Sequence, residues 1–152
     1  MQARYILRYN VCQICIILSS PKSIIMEESG NNSKAVALHF LYLTSTGKVS
    51  EAFDLYVAKD FRHHNLYFKG DADSLKDAME ESAVNLPSKQ LEIQFALQEG
   101  NRVAVYSKVT ISPGEPGIAL VHFFLFSGKK IVELWDLAQA PPEEIMNENG
   151  LF

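Results

Sequence analysis

Cysteine is nearly absent: the 152 residues contain two, Cys12 and Cys15, and none follows. The rest of the chain therefore has no disulfide framework and suits a reducing cytoplasm. The Cys12-x-x-Cys15 pair alone makes neither a structural zinc site, which needs four ligands, nor a redox motif, which sits between a strand and a helix. Basic excess is lacking too. Lys plus Arg number 14 against 18 Asp plus Glu, a formal charge of −4, so the footprint that phosphate binding needs is missing and no nucleic-acid partner is expected. No apolar run reaches the roughly 18 residues of a membrane span, which argues against a membrane partner. What remains is 47% hydrophobic and 21% charged, the composition of one globular domain long enough to bury a core unaided.

Charge is unevenly placed. Arg4, Arg8 and Lys22 are the only charged side chains before residue 26, and every acid lies at or beyond Glu27. The basic start, the apolar residues Val11, Ile14, Ile16, Ile17 and Leu18, and then Ser19-Ser20-Pro21 invite a signal-peptide reading. Gln13 interrupts the stretch and no small-x-small cleavage site stands out. A start at Met26, with a polar lead into the first helix, accounts for the pattern better. Residues 1–31 are thus expected to be an extension, and residues 32–152 the domain.

Within 32–152, Asn32 or Ser33 can cap a helix through Val36, Leu38, Phe40 and Leu43, apolar most of the way round and so buried on more than one side. Gly47-Lys48 breaks it. Ser50 can cap a second helix with Phe53, Tyr56 and Val57 at i, i+3, i+4. Residues 61–65 read as a brief extended piece. Asp73 or Ser74 then opens a third helix carrying Leu75, Met79 and Ala83, stopped by Pro87. The period next changes to two. Leu91, Ile93, Phe95 and Leu97 alternate with polar residues, Val103, Val105, Val109 and Ile111 follow on one face, and two more strands flank Ser127-Gly128-Lys129. Three helices before a four-stranded antiparallel meander make an α+β domain whose helices cover one face of the sheet.

At Phe61-Arg62-His63-His64-Asn65, with Gly128-Lys129-Lys130-Ile131-Val132-Glu133-Leu134-Trp135-Asp136 downstream, the sequence resembles the SnoaL-like, polyketide cyclase-like branch of the nuclear transport factor 2-like superfamily. The Ser112-Pro113-Gly114-Glu115-Pro116-Gly117 loop and the closing Asn149-Gly150-Leu151-Phe152 are similar to an aldol-condensation-like group within it. Coverage is residues 34–152. The resemblance implies a cone-shaped, cystatin-like α+β fold with three N-terminal helices on a strongly curved antiparallel sheet. It also implies a cofactor-independent pocket for a small apolar or aromatic carbonyl ligand, a carboxylate from the last strand acting as acid or base, and a homodimer. Asp136 matches that carboxylate, and His64 and Asn65 match a His-Asn pair at the pocket mouth. Leu134 and Leu66 depart from the pattern, standing where histidine and proline are common.

The residues themselves say the following. On simple alternation Asp136 shares an apolar face with Val132, Leu134 and Ala138, opposite Ile131, Glu133 and Trp135. A desolvated carboxylate there is placed to move a proton α to a carbonyl; the alternative is a strand-end acid bonded to a backbone amide or exposed. If Ser127 pairs with Ile131 around a three-residue loop, His122 falls opposite Asp136. If Gly128-Lys129 is a two-residue turn, His122 faces Trp135. A histidine on an apolar strand is otherwise a satisfied core group. His63 and His64 point to opposite sides, and the family match favours His64 as the inward one. A metal held by His64, His122 and Asp136 has no positive spacing signal. Tyr56, Tyr67 and Trp135 are candidates to line the pocket, whereas Phe40 reads as core.

Overall fold

The structure, a computed structural model, describes residues 32–152. The expectations for the first 31 residues, including Cys12, Cys15 and the Met26 start, lie outside the described residues.

Helix α1 (Ser33–Ser45) is capped by Asn32, whose side-chain oxygen accepts from the Ala35 amide at 3.2 Å. This satisfies one of the orphan donors of a helix start. Helix α2 (Val49–Tyr56) has no side-chain cap, and Ser50 instead donates to Glu80 at 2.6 Å. Its C-terminal end is held from the sheet: Lys130 Nζ donates to the Asp54 and Leu55 carbonyls at 3.1 and 3.0 Å. Val57, expected on this helix, begins strand β1 (Val57–His63), so the brief extended piece is a full strand. Helix α3 (Ala72–Asn85) starts one turn-position earlier than expected. Asp71 is its cap, accepting from Ser74 N at 2.8 Å, and that backbone bond holds the Asp71 carboxyl below the usual range.

Strands β2 (Gln90–Glu99), β3 (Arg102–Thr110), β4 (Ile118–Ser127) and β5 (Lys130–Gln139) form the antiparallel meander. The sheet has a fifth member, however. Strand β1 pairs in parallel with β5, giving a mixed sheet in the order β1-β5-β4-β3-β2. A parallel pair needs a crossover, and α3 with its flanking loops is the segment between β1 and the far-edge strand β2. No helix among the described residues is long and apolar enough to cross a membrane.

Two bulges decide which side chains enter the core. In β2, Ile93 pairs with Ser107 but Phe95 pairs with Tyr106, so Gln94 is the extra residue. An extra residue reverses the parity of everything beyond it. Leu91, Ile93 and Ala96 consequently pack on the core, while Phe95 and Leu97 turn outward at 55% and 64% exposure, against the alternation expected for them. In the β4–β5 hairpin, Ser127 pairs with Lys130 around the two residues Gly128-Lys129, with Gly128 at φ 59. Phe126 pairs with Ile131 and Leu125 with Glu133, leaving Val132 as the bulge. Ile131 therefore joins Leu134 and Asp136 on the inner face in place of Val132, and is fully buried. The inner face of Val103, Val105, Phe124, Phe126, Ile131 and Leu134 packs against Phe40, Leu41, Phe53 and Leu75 from the helices.

Candidate functional site

The hairpin bulge has a chemical consequence. The turn is the short one, which by itself would set His122 against Trp135, yet the extra residue at Val132 moves the ladder by one and pairs His122 with Asp136. Val105 on β3 stands on the other side of His122, so Val105, His122 and Asp136 form one row across the inner face. Cover thins along β5: Leu134 is buried, Asp136 half-buried and Ala138 exposed. Asp136 thus lies where the cover of β5 gives out, while His122 and Val105 on the same row stay buried.

His122 is 5% exposed, and its Nδ1 has no hydrogen-bond partner among the described residues. Burial pushes its pKa down to about 4, the negative charge of Asp136 opposing that shift without overcoming it. The ring is neutral at pH 7. A second orphan lies beside it: Ser107 Oγ, on β3, is also buried without a partner. Each such group costs about 1–3 kcal/mol if nothing occupies its hydrogen-bonding capacity.

Asn65 reaches the row from two residues beyond the end of β1. His63 pairs with Leu134, and two residues further the same side of the chain comes level with Asp136. Asn65 Nδ2 donates to Asp136 Oδ2 at 2.8 Å, while Asn65 Oδ1 accepts from the Tyr67 amide at 3.0 Å. One side chain thereby ties the carboxylate to the loop that follows β1. The base of that loop is set by His63, whose Nε2 donates to the Lys69 carbonyl at 2.5 Å and whose Nδ1 accepts from Asn65 N at 3.3 Å. These two bonds require one neutral tautomer.

The two adjacent histidines are thus placed the opposite way to the expectation. His63, at 6% exposure, is the inward one, because its parity matches Leu134. His64 lies on the outer face, level with Glu133 and Trp135. Its Nε2 donates to Glu133 at 2.9 Å, and its ring stacks on Trp135 at 4.7 Å between centroids and 3° between planes. Arg62 NH2 donates to the same carboxylate at 3.2 Å. The His64 hydrogen bond, then the Arg62 charge, hold the Glu133 carboxyl below its ordinary range.

Of the seven residues singled out by sequence, Asp136, His122 and Asn65 therefore come together. His64 and Trp135 form a separate pair on the other side of the sheet, which also removes the metal triple of His64, His122 and Asp136. Among the described residues no cluster of three His, Cys, Asp or Glu side chains could hold a metal. Tyr67 is 91% exposed in the loop. Tyr56 is bonded through its hydroxyl to His39 Nδ1 at 2.6 Å, and burial, then the charge of Glu51, raises its pKa. Ser107 was not singled out, and His63 was passed over in favour of His64. Alternation from Val103 and Val105 already put Ser107 on the inner face.

Two shallow, open depressions lie elsewhere, one of about 690 Å³ beside Asp60, Arg62 and Lys130 and one of about 420 Å³ between α2 and α3. Neither touches the Asp136 row.

No protein-family model and no curated protein matches the sequence. Solved structures do match. An NTF2-like protein of unknown function from Cytophaga hutchinsonii superposes with a TM-score of 0.59 at 14% identity, over 74% of this chain and 95% of that one. The chain has the nuclear transport factor 2-like fold. IdmH of Streptomyces antibioticus, described as a candidate polyketide cyclase, matches this NTF2-like domain with a TM-score of 0.60 at 14% identity, covering 70% and 91% of the two chains. AclR of Streptomyces galilaeus, described as a candidate hydroxylase, has a TM-score of 0.60 at 25% identity over 70% and 77%. These neighbours agree with the SnoaL-like, polyketide cyclase-like resemblance read from the sequence, and the α+β architecture of helices on a curved sheet is the one expected. An NTF2-like fold carries many chemistries, so function rests on the residues of the site.

Proposed function

We propose that this NTF2-like protein binds a small apolar or aromatic carbonyl compound at the open end of the inner face, and that Asp136 is its acid/base group. The observation that carries this reading is the Asn65 bond to Asp136 Oδ2. It fixes the carboxylate on a row whose inner neighbour is an unpartnered, neutral His122, and leaves Oδ1 without a hydrogen bond among the described residues. The carboxylate takes a proton from the carbon α to the ligand's carbonyl, and the C–H electron pair passes to the carbonyl oxygen as an enolate. The protonated ring nitrogen of neutral His122 can donate to that oxygen, and Asp136 returns the proton to carbon. If the enolate carbon attacks a second carbonyl of the same ligand instead, a ring closes and Asp136 delivers its proton to the new alkoxide. The description of IdmH, a protein of the same fold, as a candidate polyketide cyclase supports a polyketide-type ligand for this reading. The reading needs no cofactor.

Exchange of the α-hydrogens of 1-tetralone for deuterium in D2O, followed by NMR, tests this without knowledge of the natural substrate. The wild type should accelerate exchange, and Asp136→Asn should lose at least about a hundredfold of that rate while still binding the ketone. Exchange at the solvent rate, or unchanged in the variant, sinks the catalytic reading.

A second reading, a binding or dimerisation module without catalysis, is favoured by the outer face of the sheet. Phe95, Leu97, Phe123 and Leu137 stand there at 43% to 64% exposure. Contiguous apolar surface of this kind marks an interaction site, and the same face of a second copy of the chain is a partner of matching apolar chemistry. The sheet residues Val103, Val105 and Phe124 face the other way and are in the core.

A further inference from the structure

Ser107 has no part in the acid/base reading, yet its Oγ and His122 Nδ1 are the two unpartnered polar atoms of the inner sheet face. The registers place them close. Val105 pairs with His122 and Ser107 with Leu120, so Ser107 and His122 are diagonal neighbours on adjacent strands, with Cα atoms about 7–8 Å apart. Both side chains face the inner side of the sheet, so an oxygen atom set between them would meet the two unused hydrogen-bonding capacities. Neither the Ser107–Leu120 row nor the Val105–His122–Asp136 row carries a Lys or Arg, and the one charged group on them is the Asp136 carboxylate.

We propose that Ser107 and His122 form an uncharged donor-and-acceptor pair that selects a neutral oxygen, a hydroxyl or ketone, as the polar group of the ligand and rejects a carboxylate. This rests on the small-molecule reading given above and narrows its ligand class. A hydroxyl oxygen between the two groups can donate to one and accept from the other, and a ketone oxygen can accept from both. The neutrality of His122, set by its burial, keeps the pair free of positive charge at pH 7. A carboxylate would find no cation and would stand beside Asp136, with like charges at short range in a desolvated place. An apolar ligand would leave both orphans as they are.

Three probes of one shape separate these cases: 2-naphthol, naphthalene and 2-naphthoate, titrated into the full chain at pH 7 and followed by ¹⁵N NMR of the His122 ring and by backbone amide shifts. The wild type should bind 2-naphthol at least tenfold more tightly than either of the others, with the His122 Nδ1 resonance moving. Ser107→Ala should abolish most of that preference and leave naphthalene binding unchanged, and Ser107→Thr, which restores the hydroxyl, should recover it. The comparison of probes on the wild type stands even if a variant fails to fold. Equal binding of 2-naphthol and naphthalene, a preference for 2-naphthoate, or a preference untouched by Ser107→Ala would overturn the selection while leaving the small-molecule reading intact. The last of these would assign the preference to groups other than Ser107. Binding of none of the three overturns both.

Discussion

Asn65 and Asp136, 71 positions apart, are joined by a 2.8 Å hydrogen bond because the parallel pairing of β1 with β5 brings the end of one strand level with the other. The bond is half-buried, and its acceptor is the carboxylate on which the proposed chemistry depends. A double-mutant cycle with Asn65→Ala and Asp136→Ala, read by urea denaturation, should return a coupling of about 1–2 kcal/mol. Additive effects would mean that the contact holds nothing in solution.

His122 makes stability sensitive to acid. Its folded pKa, about 4, lies below the unfolded value of 6.5, so between those limits the unfolded chain binds the extra proton. Stability is therefore fully present above pH 6.5 and falls as pH drops toward 4. Between pH 7 and pH 4.5 the loss should be about 2 kcal/mol, measured by urea denaturation. His122→Phe, which stays apolar beside Phe124, should flatten the curve in that window and cost little at pH 7, because it removes an orphaned group. A variant as acid-sensitive as the wild type would assign the effect to other groups.

His63 holds the loop rather than the ligand. His63→Leu keeps the buried volume but removes the bonds to the Lys69 carbonyl and the Asn65 amide. Hydrogen exchange should quicken at residues 65–70 while the amides of β4 stay protected, with a stability loss of about 1–3 kcal/mol. Unchanged exchange in the loop would show that its shape does not depend on this side chain.

The outer face offers a separate measurement. Sedimentation at micromolar concentration should show a dimer, and Leu137→Lys, a charge placed on an exposed apolar position, should shift it to monomer without lowering the melting temperature. A wild-type monomer would remove the dimer proposal.

The sequence by itself carried the three helices, the four meander strands and the core positions outside the two bulges, because periods of 3.6 and two are imprinted locally by burial. Counting across the hairpin left two registers open, and neither gave the observed combination: the turn is the two-residue one, yet the bulge at Val132 pairs His122 with Asp136 as the three-residue loop would have done. Asn65 could be picked out by its family pattern. Other features were settled only by the tertiary structure. Which of His63 and His64 faces inward depends on the strand that β1 joins, and a lone extended segment does not reveal its partner. The outward turn of Phe95 and Leu97 depends on a bulge at Gln94, which no residue type at that position announces. Ser107 looked like one polar residue in a run of valines. Its meaning came from the neighbouring strand, which set an unpartnered histidine beside it, and register between distant segments is decided by packing the whole sheet against its helices.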